Sequence, residues 1–239
     1  MDFGAFIASL DIAILLQIVL IDLLLGGDNA VVIALACRNL PKQQRTKGIL
    51  WGTAGAIILR VILVAFAVTL LQVPGLKLVG GLLLLWIGIK LMLPDEDGHG
   101  DIAGSASLWG AVRTIIVADL VMSIDNVIAI AGAAQQTSQG QELFYVIFGL
   151  VVSIPIIVYG SQLVLKLMDR FPLIITAGAA LLGFIAGSLI VSDPLITRTF
   201  GILPSQAGNV AGAIGAVLVV VVARVALRLR ARASKHTGT

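Results

Sequence analysis

The sequence predicts an all-α polytopic membrane protein of seven transmembrane helices, arranged as two inverted three-helix repeats plus one C-terminal helix. Three observations predict it. Of the 239 residues, 59% are hydrophobic and 12% charged, where a soluble domain carries about 25% charged residues. Apolar runs of spanning length, roughly 20 residues each, recur along the chain. An acidic motif inside two of those runs repeats at a fixed spacing.

The runs fall at 12–37, 48–72, 76–93, 108–134, 143–168, 172–191 and 207–228. The first is interrupted by Gly26-Gly27, a place for the helix to break, and the fifth contains Pro155, which marks a kink. The third is the shortest. These runs divide the chain into a first three-helix repeat (1–93), an acidic linker (94–107), a second, inverted repeat (108–193), a seventh helix (194–228) and a basic tail (229–239). The linker, Gly/Ser-rich and holding His99, reads as a solvated tether.

Loop charges set the orientation. Arg38, Lys42, Arg45 and Lys47 follow the first run, Lys166 and Arg170 end the fifth, and Arg224, Arg228, Arg230, Arg232 and Lys235 end the seventh. The alternate loops carry Lys77 and Arg198. This asymmetry places the N-terminus outside and the C-terminus in the cytoplasm of a cell-membrane protein. The N-terminus lacks a basic region and a cleavage site, so the first helix is expected to stay in the mature chain. The net charge of +3 comes from loops and tail and points to no nucleic-acid partner. One cysteine, Cys37, excludes an intramolecular disulfide framework and a thiolate metal cage.

The motif reads Asp-x5-Asp-Asn. It appears as Asp22, Asp28 and Asn29, and again as Asp119, Asp125 and Asn126, each 97 positions on. Gly52 and Gly149 obey the same offset. Three helices separate equivalent points, and an odd number inverts the second half. Carboxylates in hydrocarbon cost several kcal/mol, so four on a repeated pattern mark function rather than helix–helix glue. Inverted repeats with polar sites at the midplane on interrupted helices are the build of secondary transporters.

On an unbroken helix Asp22 and Asn29 share a face, and Asp28 is turned about 120° away. A break at Gly26-Gly27 would bring Asp28 toward them, and freed backbone carbonyls could join as ligands. In the second copy Ser123-Ile124 stands where the glycines were, so any break there is subtler. Meeting across the repeat axis, the motifs would supply four carboxylates and two amide oxygens. This all-oxygen set suits Mn²⁺, Ca²⁺ or Mg²⁺ and argues against copper and zinc. Met122 reads as core packing. Arg60, deep in the second helix, is expected to pair with one of the aspartates as an ion pair or part of a proton relay.

At Asp22-Leu23-Leu24-Leu25-Gly26-Gly27-Asp28-Asn29-Ala30 and Asp119-Leu120-Val121-Met122-Ser123-Ile124-Asp125-Asn126-Val127 the chain resembles the TerC family of integral membrane proteins, within the wider group that includes the lysine exporters. The resemblance covers roughly residues 10–225. It implies seven transmembrane helices and, for bacterial members, export of Mn²⁺ from the cytoplasm and protection against excess manganese. Asp22, Asp28, Asn29, Asp119, Asp125 and Asn126 match the family's intramembrane polar positions.

The expected function is therefore export of a divalent cation, Mn²⁺ foremost, in exchange for protons. The metal is cargo, with no resident cofactor and no enzymatic activity expected. The partners expected are that ion and the lipid bilayer, with a homo-oligomer left open. Two rivals stand beside this reading: an intramembrane aspartic protease, which would pair two membrane aspartates, and a non-transporting membrane scaffold. Ca²⁺ is an alternative cargo.

Overall fold

The computed structural model describes residues 11–66, 73–93, 107–134, 141–201, 203–204 and 206–236, with the side chains of Leu25, Asp125, Ile128, Ala131, Ala134, Glu142 and 231–236 outside that description. The linker at 94–106, with His99, lies outside it as well. The described residues form helices and no strands: α1 (Ile12–Leu25), α2 (Gly27–Cys37), α3 (Lys42–Ala65), α4 (Leu76–Met92), α5 (Leu108–Ala134), α6 (Glu142–Arg170), α7 (Leu173–Val191), α8 (Pro194–Phe200) and α9 (Ala207–His236).

Four of these, α3, α6, α7 and α9, are long and apolar enough to cross a membrane. The α1–α2 pair makes a fifth candidate if its 47° bend lies within one span. At 17 residues α4 sits at the short limit, about 26 Å of helix. The 27 residues of α5 carry Arg113, Asp119 and Asp125. The described residues thus make a helical protein with several apolar helices of membrane-spanning length.

The element ends follow local chemistry. Pro41 opens α3 six residues before the apolar run begins, so its first turns carry Lys42, Arg45 and Lys47. Phe171-Pro172 separates α6 from α7. Pro155 is accommodated within a continuous α6. The seventh run starts at Ala207 as expected but continues as helix to His236, so the basic tail extends α9 instead of leaving it. Residues 194–200, expected as part of the seventh helix, form the separate short α8.

Asp193 joins two of these ends. Its Oδ1 accepts from the N–H groups of Leu195 (2.7 Å) and Gly75 (2.8 Å), and Oδ2 from that of Leu78 (3.0 Å). One carboxylate therefore caps both α8 and α4.

Helices distant in sequence pack together. The α1–α2 pair lies against α6, and α3 lies against α5. A side chain at Gly52 of α3 would run into Ile115 of α5, and one at Gly149 of α6 would run into Ile18 of α1. These two contacts are related residue by residue through the 97-residue offset. The α7 helix packs on both α4 and α9. Its Gly183 and Gly187 lie against the backbone carbonyls of Gly215 and Ala211, a small-residue seam that lets the helices approach closely.

The main core gathers Val32, Ile33 and Leu35 of α2, Ile49 of α3, Ile115 of α5 and Leu182 of α7. A smaller cluster around Ile18, Ile130, Tyr145 and Leu150 packs the other end of α1. On α1–α2 the first motif sits in sequence between these clusters.

Candidate functional site

The first motif straddles a helix break. α1 ends at Leu25 and α2 starts at Gly27, with Gly26 between them. Gly26 N–H still donates to Asp22 O (2.7 Å), while Asn29 N–H turns to Gly26 O (3.0 Å), tightening the first turn of α2. A Cβ on Gly26 would stand 2.5 Å from the Asp22 carbonyl oxygen, so the bend requires glycine there. The break expected at Gly26-Gly27 is present. In the second motif α5 runs unbroken through Ser123-Ile124. Ser123 stays helical and turns its hydroxyl to Asp119, four residues back (3.0 Å).

Asp22 and Asp119 meet at Arg60. Arg60 Nη1 donates to Asp22 Oδ1 and Nη2 to Asp119 Oδ1. Its Nε donates to Ser123 Oγ (2.9 Å). Asp22 Oδ2 accepts from Ser153 of α6, and Asp119 Oδ2 from Ser123. All five side chains are buried. A buried guanidinium is tolerable only where charge and hydrogen bonds are both supplied, and removing one partner of such a set costs about 3–5 kcal/mol. Arg60 was expected to meet one aspartate; it bridges two.

The remaining motif residues differ in kind. Among the described residues, Asp28 Oδ1, both amide atoms of Asn29 and the Thr53 hydroxyl are buried without a hydrogen-bond partner. Asn29 is 4% exposed. Such atoms are rare in folded proteins because each forfeits its desolvation cost, so three on one motif ask for a ligand. Asp28 lines a cavity of about 340 Å³ with Met122 and Asn126 of α5, Ser188 of α7 and Ser192, the residue that caps α7. A second cavity of about 240 Å³ shares Ser188 and Ser192 and reaches Thr197 of α8 and Pro204. Asn29, Asp119 and Met122 line a void of about 10 Å³.

The structure thus brings Asp22, Asp119 and Arg60 into one cluster, and Asp28 and Asn126 onto one cavity wall. Asn29 adjoins both through Met122. The side chain of Asp125 lies outside the described residues. No group of three or more His, Cys, Asp or Glu close enough to hold a metal occurs among the described residues. The described oxygen-bearing side chains on the cavity wall beside Asp28 are those of Asn126, Ser188 and Ser192. Ser123, Ser153, Ser188 and Ser192 were not singled out as site residues from the sequence. A signal existed for Ser153: it lies one turn beyond Gly149, just as Asp22 lies one turn beyond Ile18.

Comparison with known proteins identifies relatives among integral membrane proteins. The model of the integral membrane protein TerC family matches residues 8–236. The chain is 49% identical to the uncharacterized membrane protein YjbE of Bacillus subtilis (strain 168) over 179 residues, covering 75% of this chain and 79% of YjbE. It is 26% identical to the uncharacterized membrane protein YceF of the same organism, covering 71% and 67% of the two chains. With the UPF0053 inner membrane protein YoaE of Escherichia coli (strain K12) the identity is 29%, over 74% of this chain and 36% of YoaE. No solved structure matches. A match over nearly the whole chain, across both Asp-Asn motifs, means that this protein belongs to the integral membrane protein TerC family.

Proposed function

We propose that this protein is a secondary active exporter of divalent cations, Mn²⁺ foremost, working through a midplane site built by the two Asp-Asn motifs. The observation that carries the reading is the set of bare polar atoms at Asp28 and Asn29, beside a cavity walled by residues of both halves. Carboxylate and amide oxygens suit a hard-to-borderline ion such as Mn²⁺ better than copper or zinc. Carboxylate ligands can take a proton when the metal leaves, which supports exchange with protons as the coupling.

In this reading the α1–α2 pair, α3, α4, α5, α6, α7 and α9 are the seven spans of a cell-membrane protein, N-terminus outside and C-terminus in the cytoplasm. The related contacts Gly52–Ile115 and Gly149–Ile18 support two inverted halves, 1–93 and 108–193. The two cavities sharing Ser188 and Ser192 then give Asp28 a route past α8 toward the outer face. The protease alternative needs two facing aspartates that share a proton. Asp22 and Asp119, which face each other, are bridged by an arginine instead; for Asp28 and Asp125 the peptidase reading predicts cleavage activity lost in both Asp28→Asn and Asp125→Asn with no metal binding.

The test is efflux from Mn²⁺-loaded cells, comparing wild type with Asp28→Asn and Asp125→Asn at matched membrane expression. Wild type should lower cellular manganese and both variants should fail by at least tenfold in rate. A wild type that changes no divalent metal level would sink the transport reading and favour a membrane scaffold.

A further inference from the structure

We infer that the two aspartate pairs divide their labour: Asp22 and Asp119 are committed to Arg60 as an internal ion-pair clasp, and the cargo cation is taken by Asp28 with Asn29. This rests on the transport reading and narrows its site.

Each of the four carboxylate oxygens of Asp22 and Asp119 accepts a hydrogen bond, two from Arg60, one from Ser153 and one from Ser123. Every nitrogen of the guanidinium donates as well. A divalent ion at these carboxylates would have to displace a buried cation that is covalently tethered to the site. At Asp28 Oδ1 and both amide atoms of Asn29 the opposite holds, since these three atoms are buried and bare.

Space points the same way. The void beside Asp119 is about 10 Å³, at the lower limit for one water, whereas the cavity beside Asp28 is about 340 Å³. Charge gives the clasp its purpose. Four carboxylates around one site would hold a divalent cation too tightly to release it. One guanidinium between two of them lowers that field while leaving Asp28 free. The clasp also has a mechanical role: Asp22 is on α1, Arg60 on α3, Asp119 and Ser123 on α5, and Ser153 on α6, so it ties together two helices from each proposed half.

The test uses the full chain purified in detergent, with Mn²⁺ binding read by loss of the free-ion signal in electron paramagnetic resonance. Two double variants, Arg60→Met with Asp119→Asn and Arg60→Met with Asp22→Asn, each remove one positive and one negative charge. Both should bind Mn²⁺ within about threefold of wild type while melting at lower temperature, whereas Asp28→Asn should bind at least thirtyfold more weakly. The infrared difference spectrum of wild type with and without Mn²⁺ needs no variant. It should show a carboxylate change and no change in guanidinium bands. A thirtyfold loss in either double variant, or a guanidinium band that moves with Mn²⁺, would overturn the division and leave the transport reading standing. A wild type that binds none of Mn²⁺, Ca²⁺ and Mg²⁺ would overturn both.

Discussion

At the scale of single residues, the polar groups of this protein work only where several donors converge, and Asp193 shows this away from the cavity. Burial pushes its carboxyl up, but the backbone N–H groups of Leu78, Gly75 and Leu195 more than offset that and hold it below the usual carboxylate range. A depressed folded pKa means the ionised form stabilises the fold above the unfolded value of about 3.9, and that this contribution is lost as pH falls through the folded value. Asp193→Ala should cost about 1 kcal/mol from the lost caps alone. Thermal unfolding in detergent should show wild type losing its advantage over Asp193→Asn below about pH 4; an advantage unchanged to lower pH would remove the carboxylate from the explanation. Asp193 was not singled out from the sequence, because no pattern states that Gly75 comes back to it from another helix. The same limit applies at Arg60. Its depth in an apolar run announced a buried partner, and the choice of two partners depended on which helices pack together.

At the scale of helices, one glycine changes what the motif can do. The sequence located the break only to Gly26-Gly27; the structure separates the two. Gly26 is buried against the Asp22 carbonyl, while a Cβ at Gly27 would meet nothing within 4 Å. Neither has a positive φ, so the difference is one of space alone. Gly26→Ala should therefore straighten or displace the bend and reduce Mn²⁺ efflux at least tenfold, and Gly27→Ala should leave it near wild type. Equal loss in both would mean that the break depends on backbone freedom across the pair rather than on the close approach at Gly26. The second motif achieves its geometry without a break, and Ser123 explains how. It occupies the position equivalent to Gly26 and supplies a hydroxyl to both Arg60 and Asp119. The sequence offset exposed that replacement but not its consequence, because a serine in a membrane helix has many uses.

At the scale of the whole molecule, the two halves share a packing register and differ in charge. Moving one turn on from Gly149–Ile18 reaches Ser153–Asp22, which is hydrogen-bonded; the equivalent step from Gly52–Ile115 reaches Ala56–Asp119, where no hydroxyl is available. One turn further, Arg60 meets Ser123, while the equivalent pair is Ile157 and Gly26. Symmetry thus sets the meeting points, and a few substitutions place the arginine on one side and the break on the other. Inversion itself makes a prediction that needs no assumption about cargo. Thr46 and Leu143 are equivalent by the 97-residue offset, both are exposed, and each lies at the start of the second helix of its half. The native thiol, Cys37, is fully buried and gives little background. If three spans separate the equivalent points, as proposed, Leu143→Cys should react with a membrane-impermeant maleimide in intact cells, and Thr46→Cys only after the cells are opened. Labelling of both from the same side would require an even number of spans between them, and the inverted architecture would have to be abandoned.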